Sequence, residues 1–565
     1  MAKAIMTVNG GTIKSTYRAI RQFLNGVEAQ NILTVNGGTV EGANKSIFFH
    51  DPSAKANTGK LVVENGAQLK GDVYLFVTAG STEWPVEVSI ASSALVGESK
   101  VLTGNVPVQY EVVEENGNWV VVEHVLADSA ESLTSALSGD ATTVVVAAGE
   151  YTFPASSIKA GVTIKCAEGT VFTGKSSLNI KGATVEGATF KNVGGQAVSG
   201  TIYGNFKNCT FEGGETLRWC YTTAGETTVF ENCVVKTTLR GIHFDGMDGD
   251  VIFKNCEING FNAYSGSGSI TFEGCTFGSD ASKYNGLNIY SNTLLKDCNF
   301  VFVNGKTNFI DMEGSNKTLT ITNCTATLDG VAKPVTDFVG GSKIDQNTVI
   351  LDGKVYASTA AQLTAAVNNG ATDIVLAGEF EMPSNFTTNA ITFTSLNGTA
   401  IIDNTKGSYW EDATLTFNNI SFNTGIGMVN GNGADYAALY SKNVTYNSCT
   451  FTGPMRLGRD GAKFNACTFN GLGNDYVWTY GNSASFEGCT FNTDGKAILI
   501  YSDGPTYGTN GDAPAVSVTN CTFNATQGAK AGAIANQNCA AVEIHNYGNG
   551  VTLTTSGNTV DEDFS

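Results

Sequence analysis

The chain has 565 residues, 42% hydrophobic and only 15% charged, with 66 Gly and 9 Pro, which suits a large core made of many short strands and tight turns. A formal net charge of −19 excludes the basic footprint that nucleic-acid binding needs. No run approaches 18 consecutive apolar residues, so no membrane span is expected, and the opening at Met1 has no apolar core of signal-peptide length.

In chain order, residues 1–72 begin with two copies of the phrase Thr-Val-Asn-Gly-Gly-Thr, at Thr7 and Thr34, 27 residues apart. A fixed period of that size predicts stacked β-helix-like coils. Residues 73–125 are rich in Val and Tyr and carry Trp84 and Trp119. Asn116-Gly117 is a strong two-residue turn, so this stretch reads as a small β module or hairpin.

From 126 onward one phrase dominates. Ten of the 13 cysteines follow a turn-forming or small residue, mostly after a Phe three positions back and before Thr-Phe, as in Phe206-Lys-Asn-Cys209-Thr-Phe211 and Phe486-Glu-Gly-Cys489-Thr-Phe491. Successive copies are mostly 18 to 26 residues apart. Phe and Cys three apart would face opposite sides of a straight strand, yet both prefer burial. A corner between them resolves the conflict. The residue before Cys takes the left-handed conformation, and both side chains then point inward. Stacking such coils puts Cys above Cys and Phe above Phe. The cysteines are therefore read as small buried hydrophobes rather than disulfides.

A second repeat lies above the first. Ala130 to Leu137 and Ala360 to Val367 each read as a short amphipathic helix, followed by apolar strands at Val144 and Ile374. Each helix suits the cap that a solenoid needs over its first coil. The fold class expected is all-β: a right-handed parallel β-helix of two tandem units, 126–350 and 355–565, each opened by a capping helix.

These copies and the coil phrase resemble pectin-lyase-like right-handed β-helix proteins, and more narrowly the Asn-Cys-Thr-Phe repeat proteins of gut Bacteroidetes and their phages. The resemblance covers 126–565 well and 1–72 weakly. It implies a fold that hosts polysaccharide lyases, glycoside hydrolases, adhesins and phage spikes, and so does not choose among them.

The search for chemistry finds little that is specific. Asn492-Thr-Asp494-Gly495 matches one short polygalacturonase motif, but the companion motifs are absent, and Asp before Gly is also turn chemistry. His243, Asp245, Asp248 and Asp250 form the densest polar cluster; they suit Ca²⁺ or acid–base work, or more plainly a turn between coils. With no CxxC pair and four His, no zinc site is expected. No catalytic residue, metal or cofactor is assigned.

One feature recurs. Arg18, Arg218, Arg240 and Arg456 follow apolar or aromatic residues in similar settings, with Arg21 and Arg459 close by. Ile20, Leu217, Leu239 and Met455 are expected to point inward, which turns the arginines outward. Arg218, Arg240 and Arg456, with Trp219, Tyr221, Trp478 and Tyr480, are the candidate carbohydrate-binding residues, since guanidinium groups and flat rings suit acidic or neutral glycans. The plainer reading is a solvated strand face.

The function expected is a non-enzymatic structural or adhesive appendage: a phage fibre, spike or decoration protein, or a bacterial surface adhesin. Its partners would be a surface glycan or other virion or surface proteins. A homotrimer is one arrangement open to a fibre, and the place expected is a virion or an extracellular surface. The alternative is a polysaccharide lyase or glycoside hydrolase of tailspike type.

Overall fold

The computed structural model describes residues 3–23, 30–51, 58–77, 81, 83–278, 284–303, 307–382, 390–404, 408–424, 426–428, 434–436, 439–458, 460–470, 476–493, 495–502, 513–526, 540–546, 548 and 550–561. The chain divides into two compact units, Met1–Asn262 with Gly278–Tyr284, and Ala263–Phe277 with Asn285–Ser565. The step predicted between 350 and 355 therefore falls inside the second unit.

In the first unit the opening coils alternate between two parallel sheets. Lys3–Val8, Gln30–Val35, Thr58–Val63 and Val86–Ala91 pair in that order in one. Thr12–Ser15, Gly38–Asp51, Ala67–Val77 and Val101–Gly104 pair in the other, and Arg18–Phe23 also joins Gly38–Asp51. Leu33, Val40, Ile47, Leu61, Leu69 and Val73 fill the space between the sheets. The strands Tyr110–Glu115 and Asn118–Glu123 form an antiparallel hairpin. Its turn residues, Asn116 and Gly117, both have positive φ, which matches the twist of the strands they join. The hairpin pairs with Val86–Ala91 and ends that sheet.

Helix α1, Ala130–Ser138, follows, with Ser129 as N-cap and Ser132 closing a reciprocal capping box. Leu133 and Leu137 are buried beneath it. Helix α2, Ala360–Asn368, is capped in the second unit by Thr359, which accepts from the Gln362 amide without a reciprocal box, and Gln362, Leu363 and Ala366 are buried. Both helices are followed by parallel coils, so the chain is an all-β parallel β-helix with two short capping helices.

The corner predicted from the Cys phrase is present in every copy. The residue before each of the ten cysteines has positive φ: Asn208, Asn232, Asn255, Gly274, Asp297, Asn323, Ser448, Ala466, Gly488 and Asn520. Gly187 before Ala188 and Asn419 before Ile420 make the same corner without a cysteine. Asparagine amides then bond from coil to coil on the outside, as Asn232 to Asn208 at 3.2 Å and Asn465 to Asn447 at 2.8 Å. Inside, the rings stack. Phe422, Phe451, Phe469, Phe491 and Phe523 form a column with centroids 5.1, 4.9, 4.6 and 4.9 Å apart. A second column runs through Phe393, Phe417, Tyr446, Phe464 and Phe486. In the first unit Phe206, Phe230 and Phe253 pair in register. Each buried ring contributes about 2–3 kcal/mol of transfer free energy. None of the twelve described cysteines is in a disulfide.

Candidate functional site

In the first unit the strand Thr210–Thr222 lies beside Val234–Met247, one coil further on. Their register is irregular. Glu215 pairs with Arg240, Leu217 with Ile242, Arg218 with His243, and Tyr221 with Gly246, with shifts on either side of Trp219. The arginines Arg218 and Arg240 thus do not occupy one position of the coil, contrary to the sequence alignment; Arg218 stands over a histidine and Arg240 over a carboxylate. Leu239, expected inside, is 43% exposed, because Ile242 takes the inward place beside Leu217.

Trp219 is the extra residue of this bulge. Its φ of 56° puts a bulky side chain in the left-handed region, which costs about 1–3 kcal/mol and marks a backbone held by its surroundings. The bulge turns the indole outward, and Trp219 and Tyr221 are each 43% exposed. Tyr221 lies along the next coil over Gly246, where a β-carbon would sit 3.0 Å from the ring.

Beside these rings the charges interlock. Arg218 donates to Glu215 at 2.7 Å, and its guanidinium carbon lies 4.5 Å from the Trp219 ring centroid. Its side chain is only 12% exposed. Arg240 Nε lies 3.9 Å from the same Glu215 oxygen. Arg240 also stands 3.3 Å from His243 Nδ1, and His243 Nε2 stands 3.3 Å from Asp245 Oδ1. Because arginine can only donate, Nδ1 is the acceptor and the ring proton sits on Nε2, facing Asp245. Burial first, and then Arg218 and Arg240, hold the His243 imidazole below its ordinary value against the opposing pull of Asp245 and Glu215. At neutral pH the ring is uncharged and both its nitrogens are engaged within the cluster.

The second group of candidate residues belongs to the second unit. Arg456 pairs with Trp478 across parallel strands, and its guanidinium lies 4.6 Å from the Tyr480 centroid. Trp478 and Tyr480 meet edge to face at 4.7 Å, and Tyr480 also has positive φ, 52°. Arg456 is only 3% exposed, so it supports the rings from beneath rather than reaching outward as the sequence reading had it. Arg459 and Asp494 lie outside the described residues.

Sequence reasoning missed Glu215 as the hinge of the first group. In the second unit it also missed Tyr476, 6.4 Å from Trp478, and the set formed by Lys496, Glu543 and His545. Glu543 accepts from Lys496 at 2.8 Å and from His545 at 2.5 Å. Burial opposes its ionisation, but those two partners together hold its carboxyl below the usual range. The only sequence signal for Tyr476 was its alternation with Trp478 and Tyr480. Lys496 and Glu543 are 47 residues apart and gave none. Among the described residues no group of three or more His, Cys, Asp or Glu side chains is placed to hold a metal ion.

No family model matches the chain, and no curated protein matches it. Among solved structures, a mutant of the PL6 family alginate lyase AlyGC is 11% identical, with a TM-score of 0.24, covering 99% of this chain and 97% of that chain. AlyGC itself gives 11% identity and a TM-score of 0.17 over 99% of this chain and 97% of that one. The catalytic domain of a GH87 alpha-1,3-glucanase in complex with tetrasaccharides gives 11% identity and a TM-score of 0.16, covering 78% of this chain and 72% of that chain. The parallel β-helix stands on the strand pairing itself.

Proposed function

We propose that the chain is a non-enzymatic β-helix contact protein, a fibre, spike, decoration protein or surface adhesin, working on a virion or an extracellular surface. Its first contact site is the surface of Trp219, Tyr221, Arg218 and Arg240, and its ligand is a glycan with acidic groups. The observation that carries this reading is the pairing of two outward rings with a closed charge network. Trp219 and Tyr221 are exposed and held in place by a bulge and by Gly246, as rings that stack on sugars must be. Arg240 is the more accessible cation and can turn to a ligand carboxylate. His243, by contrast, has a partner at each nitrogen, which leaves no lone pair for a substrate proton.

The test is a glycan array probed with the full chain, followed by titration of the best binder against Trp219→Ala and Arg240→Gln. Each substitution is expected to weaken binding about tenfold, the effect of losing one stacking or charge-assisted contact of about 1–1.5 kcal/mol. Absence of binding to any glycan would leave a protein partner instead. New reducing ends or unsaturated uronate absorbance, abolished by His243→Gln, would replace this reading with that of a lyase or hydrolase.

A further inference from the structure

The opening coils carry a second surface that the Trp219 site does not use. Along the strand Gly38–Asp51, Ile47 and Phe49 point into the core, so Phe48 and His50 point out. The ladder repeats this on both sides. Arg21, Phe48 and Tyr74 stand in one outward row, and Phe23, His50 and Phe76 in the next. Phe48 and Tyr74 stack at 5.4 Å, while His50 meets Phe23 and Phe76 edge to face, each at 4.6 Å. Leu102 follows Tyr74 in its row and Gly104 follows Phe76; a β-carbon at Gly104 would lie 2.3 Å from the Tyr74 hydroxyl and 2.7 Å from Phe76, so both rings extend over it.

Arginines cover this layer. The Arg18 guanidinium carbon lies 4.1 Å from the Phe48 centroid, and that of Arg21 lies 4.1 Å from Phe23. Phe48 is buried outside the core, against the Arg18 guanidinium and the rings of Tyr74 and His50. Lys14, Lys45 and Lys60 of the same coils each form an ion pair, with Glu41, Asp72 and Glu87. Among the described residues Arg18 and Arg21 form none, and Arg18 Nε is buried without a hydrogen-bond acceptor. Phe48 turns a face to Tyr74 and to the Arg18 guanidinium, while His50 meets Phe23, Phe48 and Phe76 edge to face.

The charge distribution along the chain agrees. Residues 1–77 hold eight Lys and Arg against five Asp and Glu, a formal +3, while the chain as a whole is −19, which leaves −22 for the rest.

We infer that the strip of Arg18, Arg21, Phe23, Phe48, His50 and Phe76 is an independent docking site for a polyanionic polysaccharide, whose carboxylate or sulfate groups meet the two guanidinium ions held on the aromatic layer. The site differs from the Trp219 surface in chemistry. It offers cations that have no carboxylate partner among the described residues, so it selects for charge rather than for sugar shape. Its affinity falls steeply with salt as counterions are released.

The test uses the full chain and polygalacturonate oligomers, with neutral dextran as control, titrated at low and at moderate salt. Arg21→Gln, which leaves the cover of Phe48 by Arg18 in place, is expected to weaken polygalacturonate binding about fivefold, and Arg18→Gln with Arg21→Gln further. Unchanged circular dichroism in both variants separates lost contacts from lost fold. The pair Arg218→Gln with Arg240→Gln removes the other site, and in that background the salt-sensitive binding should persist. Three results overturn the inference: wild-type binding in both strip variants, equal binding of dextran, or loss of polyanion binding only in the Arg218 and Arg240 variant, which would assign all of it to the Trp219 surface. A strip variant whose only change is in sedimentation would assign the strip to a second copy of the chain.

Discussion

At the residue scale the left-handed corner was the most legible feature and also the least uniform. Asn, Asp and Gly announce it, because they enter that conformation at small cost. Ser448 and Ala466 adopt it with no such preference, their φ values of 53° and 51° imposed by the coils above and below. Ala466→Gly should therefore stabilise the protein by roughly 0.5–1 kcal/mol, and Gly488→Ala, one coil on at φ 62°, should destabilise it by about 1 kcal/mol. Urea midpoints of the two variants check this; a loss on Ala466→Gly would mean that the methyl packing outweighs the backbone strain. Asp311 was invisible to sequence reasoning. Burial, and then the neighbouring Glu313 charge, push its carboxyl up to about 6. A raised acid favours folding in its protonated form, so its contribution is fully present below pH 4 and is lost as pH rises through 6. Asp311→Asn should then gain about 1 kcal/mol at pH 7.5, a figure discounted for the partial exposure of the group, and nothing at pH 4. Thermal midpoints at the two pH values read the difference; an equal shift at both would remove the carboxyl charge as its cause.

At the scale of the element, strands and helices were read correctly wherever local pattern sets them, and misread where register depends on a neighbour. Helix α1 was visible in its apolar spacing, whereas its cap at Ser129 was not read from the sequence. The pairing of Glu215 with Arg240 was not visible, because the bulge at Trp219 shifts the ladder by residues that carry no turn signal. Aligning copies by their Leu-Arg dipeptides therefore put arginine over arginine and turned Leu239 inward, whereas the coil places Arg218 over His243. The helices themselves hold by few side chains. Leu133 and Leu137 are the buried residues of α1, so Leu133→Ala should cost about 2–4 kcal/mol, at the helix and the coil beneath it. Hydrogen exchange would show faster exchange across 126–146 with protection retained in later coils, since each coil contacts mainly its neighbours. Uniform loss of protection would show instead that the cap is coupled to the whole stack.

At the scale of the whole molecule the legible quantity is charge, and it leads to a prediction whose sign has to be decided between two effects. Neighbouring coils carry ladder pairs such as Lys191 with Glu212, Lys207 with Glu231 and Lys296 with Glu273, 2.6 to 3.3 Å apart. These are exposed and contribute about 0.2–1 kcal/mol each at most, which salt weakens. Against them stands an excess of 19 negative charges. Their mutual repulsion opposes the folded state, and salt relieves it over separations beyond about 10 Å at 0.1 M. Strand stacking every 4.7–4.9 Å brings the carboxylates of successive coils closer than the unfolded chain would hold them. The repulsive sum is long-ranged and grows with every unpaired carboxylate, while each ladder pair acts alone. Repulsion is therefore expected to win, and the thermal midpoint should rise between 10 and 300 mM sodium chloride. Sodium sulfate must be excluded from this comparison, because it strengthens apolar burial independently of charge. A midpoint that falls across the same range would mean that the cross-coil ion pairs form a cooperative network, and neutralising Glu212 and Glu231 together would then cost less than the sum of the single changes.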